Sequence, residues 1–199
     1  MSVGRPRSFD KDQALDRALR VFWRKGFEGA SLTDLTEAMG INRPSLYSAF
    51  GDKESLFHQA LARYVEAHAC YITPALEEPT ARAVAEKVWA GCINVICNPR
   101  NPKGCFLVQG ALACGDMAKD IQRAMAKQRR KGEAALKDRF ERAESEGELP
   151  SGIDAVNLAS YVATVSYGLS VQAAGGASAS ALEATASVAA RSLPSADNC

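Results

Sequence analysis

The sequence lacks a long apolar run, and this absence excludes one class of protein. No apolar stretch in its 199 residues approaches the roughly twenty residues that a membrane-spanning helix needs. The first residues also lack the apolar run of a secretory signal. We therefore expect a cytoplasmic protein with no membrane partner.

Histidine is scarce, with only His58 and His68 in the whole chain. Neither has a carboxylate or cysteine cluster beside it, so the two make a poor metal site. A serine–histidine–aspartate arrangement cannot be argued from two histidines on one predicted helix, and no glycine loop of the phosphate-cradling kind is present. We therefore predict no metal, no cofactor and no catalytic residue, which means that the protein is not an enzyme.

A strong excess of either charge is also missing. The 24 lysines and arginines nearly balance the 23 aspartates and glutamates, for a net charge of +1. A protein coated with positive charge is thus excluded, and nucleic-acid binding would need a local basic surface. Because there is no repeat and no strand-like run of any length, the pattern predicts an all-α fold.

The six cysteines never form a CxxC pair, which disfavours zinc ribbons and thioredoxin-type motifs. In the cytoplasm they should be thiols. Cys105 follows Lys103 and Gly104 and opens a predicted helix, where the helix dipole and the lysine would both favour a thiolate. One hypothesis is therefore a redox or electrophile switch at Cys105, with Cys97 across the loop. The alternative is that these thiols are small buried hydrophobic groups.

Residues 31–50 carry the most informative pattern, two short amphipathic helices joined by a tight turn. Ser31 can cap the first helix, and Gly40 can adopt the left-handed conformation that ends it. Asn42 can cap the second helix, whose first turn tolerates Pro44. This layout is a helix-turn-helix, which presents its second helix to the DNA major groove.

The outward side chains of this segment divide into two predicted roles. Arg43 and Ser45, early in the second helix, are placed to read base edges. Thr33, Tyr47 and Lys53 are better placed to contact phosphate, which sets register without reading sequence. The complete predicted DNA-contacting set is Arg5, Arg7, Ser31, Thr33, Asn42, Arg43, Pro44, Ser45, Tyr47 and Lys53.

The basic arm that contains Arg5 and Arg7 has two interpretations. A short, flexible arm of this kind can enter a neighbouring minor groove, as homeodomain arms do. It can equally be a disordered tail whose charges aid solubility.

The helices around the motif complete a compact unit that ends near Tyr64. Apolar residues recur at helical spacing over residues 10–25, and Gly26 is predicted to end that helix. Asp52 is the predicted cap of the next helix. We predict two domains, with the DNA-binding unit at residues 1–64 and a larger helical domain at residues 65–199.

Ordered pieces of the run from Gly4 to Tyr64 resemble the amino-terminal domain of the tetracycline-repressor (TetR) family of bacterial transcription regulators. The matching pieces are Gly4-Arg5-Pro6-Arg7, Ala18-Leu19-Arg20-Val21-Phe22, Lys25-Gly26-Phe27, Ser31-Leu32-Thr33-Asp34-Leu35, Met39-Gly40-Ile41, Ser45-Leu46-Tyr47-Ser48-Ala49-Phe50 and Gly51-Asp52-Lys53-Glu54-Ser55-Leu56-Phe57. The resemblance implies an all-helical homodimer that represses from an operator on double-stranded DNA. It also implies a small-molecule effector that binds in the larger domain and releases the DNA.

The rest of the sequence predicts further helices with few motifs. One long helix is expected over residues 56–76, ended by Pro74 and the break at residues 77–79, and others over 80–97, 105–114, 119–146, 153–173 and 179–192. The last two are rich in alanine, serine and glycine, which let helices approach closely. By the resemblance, these two helices would form a four-helix interface with a second copy.

An effector pocket can be predicted from aromatic residues that carry a few polar groups. Each of these side chains could equally be ordinary core. The candidates are Tyr64, His68, Tyr71, Trp89, Phe106, Gln109, Tyr161 and Tyr167.

A rival to the transcription-regulator hypothesis is a sequence-independent protein that organises DNA and uses the same helix-turn-helix motif.

Overall fold

The computed structural model describes residues 9–112, 119–149 and 152–193, and within these ranges the chain is helical without strands. The first four helices are α1 (Lys11–Gly29), α2 (Leu32–Met39), α3 (Arg43–Phe50) and α4 (Lys53–His68). They are followed by α5 (Ile72–Ala75), α6 (Ala81–Ile96), α7 (Phe106–Leu112), α8 (Lys119–Ser145), α9 (Ala155–Ala174) and α10 (Ala179–Arg191). The all-α prediction is confirmed. The predictions at Arg5 and Arg7 lie outside the described residues.

Helices α1 to α4 surround a core of large apolar side chains. Phe22, Leu35, Leu46 and Phe57 are fully buried there, and the rings of Phe22 and Phe57 meet edge to face with centroids 5.0 Å apart. Burial of each such side chain contributes about 1.5–3 kcal/mol. Helices as short as α2 and α3 are not stable alone, and it is the packing of their apolar faces into this core that stabilises them.

The same core continues into the later part of the chain. Phe106 of α7 and both Ile121 and Met125 of α8 are buried within it. A second core joins α6, α8, α9 and α10 around residues such as Trp89 and Phe140. The first four helices therefore rest on α7 and the amino-terminal half of α8. The domain boundary at residue 64 stays a prediction.

The single helix predicted over residues 56–76 was wrong. Helix α4 ends at His68, and a separate turn, α5, begins at Ile72. At the break Tyr71 packs against Gly91 of α6, where an added Cβ would lie 2.7 Å from the ring. Long-range packing thus outweighs local helical preference. Pro74 does not end a helix but lies in the first turn of α5, where its missing N–H needs no partner.

Gly26 interrupts α1 as predicted, with φ 69° and ψ 179°, although one further helical turn reaches Gly29.

Within the described ranges, no helix combines the length and the apolar character needed to cross a membrane. In that same part of the chain, no group of three or more histidine, cysteine or acidic side chains is placed to hold a metal ion.

Candidate nucleic-acid interface and ligand cavity

Reciprocal hydrogen bonds hold the first helix of the motif at its start. The amide of Asp34 donates to Ser31 Oγ at 3.0 Å, and the amide of Ser31 donates to Asp34 Oδ2 at 3.0 Å. Lys25 Nζ lies 2.6 Å from Asp34 Oδ1. These contacts, first the one with Lys25 and then those with Ser31, lower the pKa of Asp34 to about 2. Helix α2 is thereby capped and tied to α1.

The turn between α2 and α3 has the geometry that the sequence predicts. Gly40 is left-handed, with φ 69° and ψ 33°, a conformation that a residue with a Cβ adopts only with strain. Asn42 Oδ1 accepts a hydrogen bond of 2.9 Å from the amide of Ser45, which caps α3. Pro44 lies in the first turn, where it breaks no helical bond. The side-chain oxygens of Ser31 and Asn42 are therefore used as helix caps within the protein.

Helix α3 buries one face and exposes the other. Leu46 and Phe50 point into the core, whereas Arg43 is exposed and 48% of Tyr47 is accessible. Arg43 Nη2 donates to the hydroxyl of Thr33 at 3.1 Å. This bond reaches back across the turn to α2. It orients an exposed guanidinium in the first turn of α3 without removing its remaining donors.

The other predicted contacts lie at the starts of α3 and α4. Ser45 is half-buried in the first turn of α3. Lys53 is the first residue of α4, and its Nζ lies 4.5 Å from the centroid of the Phe27 ring. Partial burial lowers the pKa of Lys53, and the charge of Glu28 opposes this change. Lys53 is thus held against Phe27 at the start of α4, whose first turn is capped by the carboxylate of Asp52.

A cavity of about 70 Å³ lies between α4, α6, α8 and α9. It brings together three of the eight predicted pocket residues, Tyr64, Tyr71 and Tyr167. The cavity is also lined by Cys105, which the sequence suggested as a redox switch and not as a pocket residue. Further lining side chains were not selected from the sequence, among them Cys92, Gln128, Arg129, Glu133, Ser166 and Ser170. No signal in the sequence separated these residues from ordinary packing or solvated positions.

The other five predicted pocket residues lie elsewhere. The His68 ring stands 5.2 Å from Trp23, and Phe106 is buried in the first core. Trp89 and Tyr161 pair edge to face at 6.2 Å. Gln109 Nε2 donates to the carbonyl of Lys103 at 2.7 Å. Because helical periodicity indicates only that a residue is apolar, it cannot tell which of several buried spaces that residue lines.

The surroundings of Cys105 do not favour the thiolate that its place in the sequence suggested. Burial raises the pKa of the Cys105 thiol and outweighs the opposing effect of the Tyr64 hydroxyl and the amides of Val108 and Leu107. Tyr64 Oη lies 3.2 Å from Cys105 Sγ. Cys97 lines a different cleft with Glu183, and its pKa is also raised, mainly by burial. A sensor role for either cysteine stays a prediction.

Tyr64 belongs both to the cavity wall and to the core under the helix-turn-helix. Its ring meets Trp23 of α1 edge to face, with centroids 4.8 Å apart. Trp23 Nε1 donates to the carbonyl of Gly104, beside Cys105, at 3.0 Å. A change in the cavity therefore has a direct contact path to α1 and α4.

The comparisons with known proteins agree with this geometry. The family model described as bacterial regulatory proteins, tetR family, matches residues 14–60, and one described as the tetracyclin repressor-like C-terminal domain matches residues 79–188. The chain is 33% identical to the HTH-type transcriptional repressor ComR of Escherichia coli K12, over 89% of this chain and 85% of that protein.

Two solved structures have the same fold. A cysteine mutant of the TetR family transcriptional regulator CifR, complexed with 26-bp double-strand operator DNA, is 39% identical, with a TM-score of 0.90 and coverage of 96% of this chain and 100% of the other. The reduced form of E. coli NemR covers 93% and 97% of the two chains with a TM-score of 0.77, but at 21% identity it supports the fold alone.

Proposed function

This chain belongs to the tetR family of bacterial regulatory proteins, and on that premise we propose that it is a homodimeric repressor that binds a palindromic operator and is released by a small molecule. It is a DNA-binding transcriptional regulator. The observation that supports operator reading best is the exposed, capped α3, on which Arg43 is oriented by its bond to Thr33. Such a regulator works where bacterial DNA lies, in the cytoplasm.

In this proposal Arg43 and Ser45 contact base edges, while Thr33, Tyr47 and Lys53 contact phosphate. An arginine that grips guanine with two hydrogen bonds contributes about 1–3 kcal/mol of discrimination. Ser31, Asn42 and Pro44 support the interface through helix geometry, and the arm with Arg5 and Arg7 would reach the minor groove.

The test compares Arg43→Ala and Lys53→Ala on an operator selected from random DNA. We expect Arg43→Ala to lose preference for the operator over scrambled DNA. Lys53→Ala should weaken binding to both and reduce the slope of log affinity against log salt by about 0.9. Lys87→Ala, an exposed lysine on α6, is the control. Unchanged affinity of both variants at every salt concentration would contradict the assignment.

The proposed dimer uses the outer faces of α9 and α10. Val156, Val171 and Val188 are about half exposed there, at 53%, 48% and 58%. A two-fold pair would place two α3 helices on successive turns of DNA, which accounts for a palindromic site. Val171→Asp should shift sedimentation toward the monomer, whereas Ala134→Asp on the exposed face of α8 should not. A wild-type monomer at micromolar concentration would contradict this arrangement.

The proposed effector site is the cavity lined by Tyr64. Gly132 of α8 lines it, and Gly132→Leu would fill the space without deleting a hydrogen bond. We expect this variant to bind the operator normally but to resist any molecule that releases the wild type. Ala134→Leu, two residues away on the exposed face, should remain responsive. Normal release of Gly132→Leu would exclude this cavity.

Two alternatives are separated by direct experiments. Uniform coverage in a DNA footprint, instead of discrete palindromic protection, would favour a sequence-independent DNA-organising protein. Release of DNA by peroxide or a quinone in the wild type, and its loss in Cys105→Ser, would favour the redox or electrophile sensor.

A further inference from the structure

Thr33 in the first turn of α2 contacts the first residue of α3, and this contact bears on sequence preference. We propose that Thr33 is a positioning residue for base reading, which holds the Arg43 guanidinium in the direction from which it reaches a guanine. The inference rests on the proposed function, in which Arg43 reads a base edge and Thr33 contacts a phosphate. It adds that the preference for one base depends on a hydroxyl of α2 and not on α3 alone.

The bond between the two side chains joins two anchored helix starts. Arg43 Nη2 donates to Thr33 Oγ1 at 3.1 Å, and both residues are exposed. Arg43 is the first residue of α3 and precedes Pro44, whose ring fixes its own φ. Thr33 precedes Asp34, whose carboxylate lies 2.6 Å from Lys25 Nζ of α1. Because both backbones are held in this way, the bond determines the direction of the long arginine side chain.

The acceptor for Arg43 is a neutral hydroxyl, which leaves the charge of the guanidinium uncompensated. In the part of the chain that the structure describes, no carboxylate lies within ion-pair distance of Arg43. The nearby carboxylate of Asp34 is engaged by Lys25 and by the amide of Ser31. A guanidinium has five N–H donors, and Thr33 accepts from one of them. Four donors remain, which is enough for a contact of two hydrogen bonds with guanine O6 and N7.

The Thr33 hydroxyl can serve Arg43 and a phosphate at the same time. A hydroxyl has one donor and two acceptor lone pairs, and Arg43 occupies one lone pair. Among the described residues, no other group accepts the hydroxyl hydrogen, so it is available to a phosphate oxygen. The contact that sets the register on DNA would then also orient the side chain that reads sequence.

The expected gain comes from ordering a long side chain before it meets the base. A free arginine loses rotamer freedom when it grips a guanine, and this loss weakens the contact. Ordering one such side chain in advance changes affinity by about 2- to 12-fold. The complete arginine–guanine contact discriminates by about 5- to 150-fold. Loss of the Thr33 hydroxyl should therefore remove part of the preference for guanine, and loss of Arg43 should remove all of it.

The test is selection of bound sequences from random DNA, which measures the base preference at each operator position. Arg43→Ala, or Arg43→Lys if affinity falls too low for selection, should remove a guanine preference at one position in each half-site. Thr33→Val keeps the branched shape of the side chain and removes the hydroxyl. It should lower the preference at that same position by about 2- to 12-fold and leave the other positions unchanged. Thr33→Ser restores the hydroxyl and should keep the wild-type preference.

Two comparisons separate positioning from a phosphate contact and from a defect in folding. The hydroxyl of Thr36, also on α2, donates to the carbonyls of Leu32 and Thr33 and does not contact Arg43. Thr36→Val should therefore leave the selected sequence unchanged. In the Arg43→Ala background, Thr33→Val should weaken binding to all DNA equally and cause no further loss of base preference. Far-UV circular dichroism checks that each variant folds.

The possible results distinguish the inference from the proposed function. A guanine preference that is lost in Arg43→Ala but kept in Thr33→Val would overturn the inference and leave the base contact of Arg43 standing. Further loss of base preference when Thr33→Val is added to Arg43→Ala would also overturn it. A guanine preference that survives both substitutions of Arg43 would contradict the proposed base contact and the inference together.

Discussion

The hydrogen bond from Trp23 to Gly104 allows a quantitative test of how α1 is attached to the rest of the protein. Trp23 is 1% exposed, and its Nε1 lies 3.0 Å from the carbonyl oxygen of Gly104. Trp23→Phe keeps an aromatic ring but removes the donor. Among the described residues no other donor reaches that carbonyl, so the variant leaves it buried without a partner.

The expected loss in the free energy of unfolding has two parts. A buried carbonyl left without its donor costs about 1–3 kcal/mol. The smaller phenyl ring also leaves a void, which adds about 1 kcal/mol. The sum of about 2–4 kcal/mol is a large fraction of the roughly 5–15 kcal/mol that stabilises an ordinary domain.

Trp89→Phe is the matched control, because Trp89 is also 1% exposed and donates to the carbonyl of Val162 at 3.1 Å. That carbonyl keeps a second donor, the hydroxyl of Ser166 at 2.9 Å. We therefore expect Trp89→Phe to create a similar void but to lose about 1–2 kcal/mol less than Trp23→Phe.

Urea unfolding followed by far-UV circular dichroism measures both losses in free energy. Both variants are measured at the same protomer concentration, so that any contribution of subunit association to stability is equal in the two. Equal losses in the two variants, or a Trp23→Phe loss below about 1 kcal/mol, would refute the argument that the Gly104 carbonyl depends on Trp23.

Three further predictions concern single groups. Ser31→Ala removes the cap of α2 and should lower the free energy of unfolding by about 1 kcal/mol, measured in urea, whereas an unchanged value would contradict the capping role. The pKa of Asp34 falls from 3.8 to about 2 on folding. The ionised Asp34 carboxylate therefore stabilises the folded protein fully above about pH 4, and this contribution is lost as the pH drops toward 2. Asp34→Asn should accordingly lose less stability than the wild type between about pH 4 and pH 2 in urea unfolding. Iodoacetamide should label exposed Cys70 well before Cys92, whose pKa is raised to about 12 by burial, and mass spectrometry that found the reverse order would contradict the packing of α6 against α9.

The helix-turn-helix could be predicted from the sequence because its determinants are local. The caps at Ser31 and Asn42 each bond to an amide three residues later, and Gly40 takes a conformation that its lack of a Cβ permits. Such interactions need only neighbouring residues, so the order of residue types is sufficient to indicate them. The break at Gly26 in α1 follows from the same kind of reasoning.

Which residues line the cavities could not be predicted from the sequence, because the lining depends on the tertiary structure. Tyr71, Trp89 and Tyr167 look alike as apolar aromatic positions, yet packing directs Trp89 toward Tyr161 and the two tyrosines toward the cavity. The bend after His68 and the raised pKa of Cys105 likewise result from contacts with distant segments. The spacing of residue types in the sequence determined which residues form helices and caps. The packing of the helices decided which cavity each buried side chain lines. It also decided each group's burial and neighbours, and therefore the direction in which its pKa shifts.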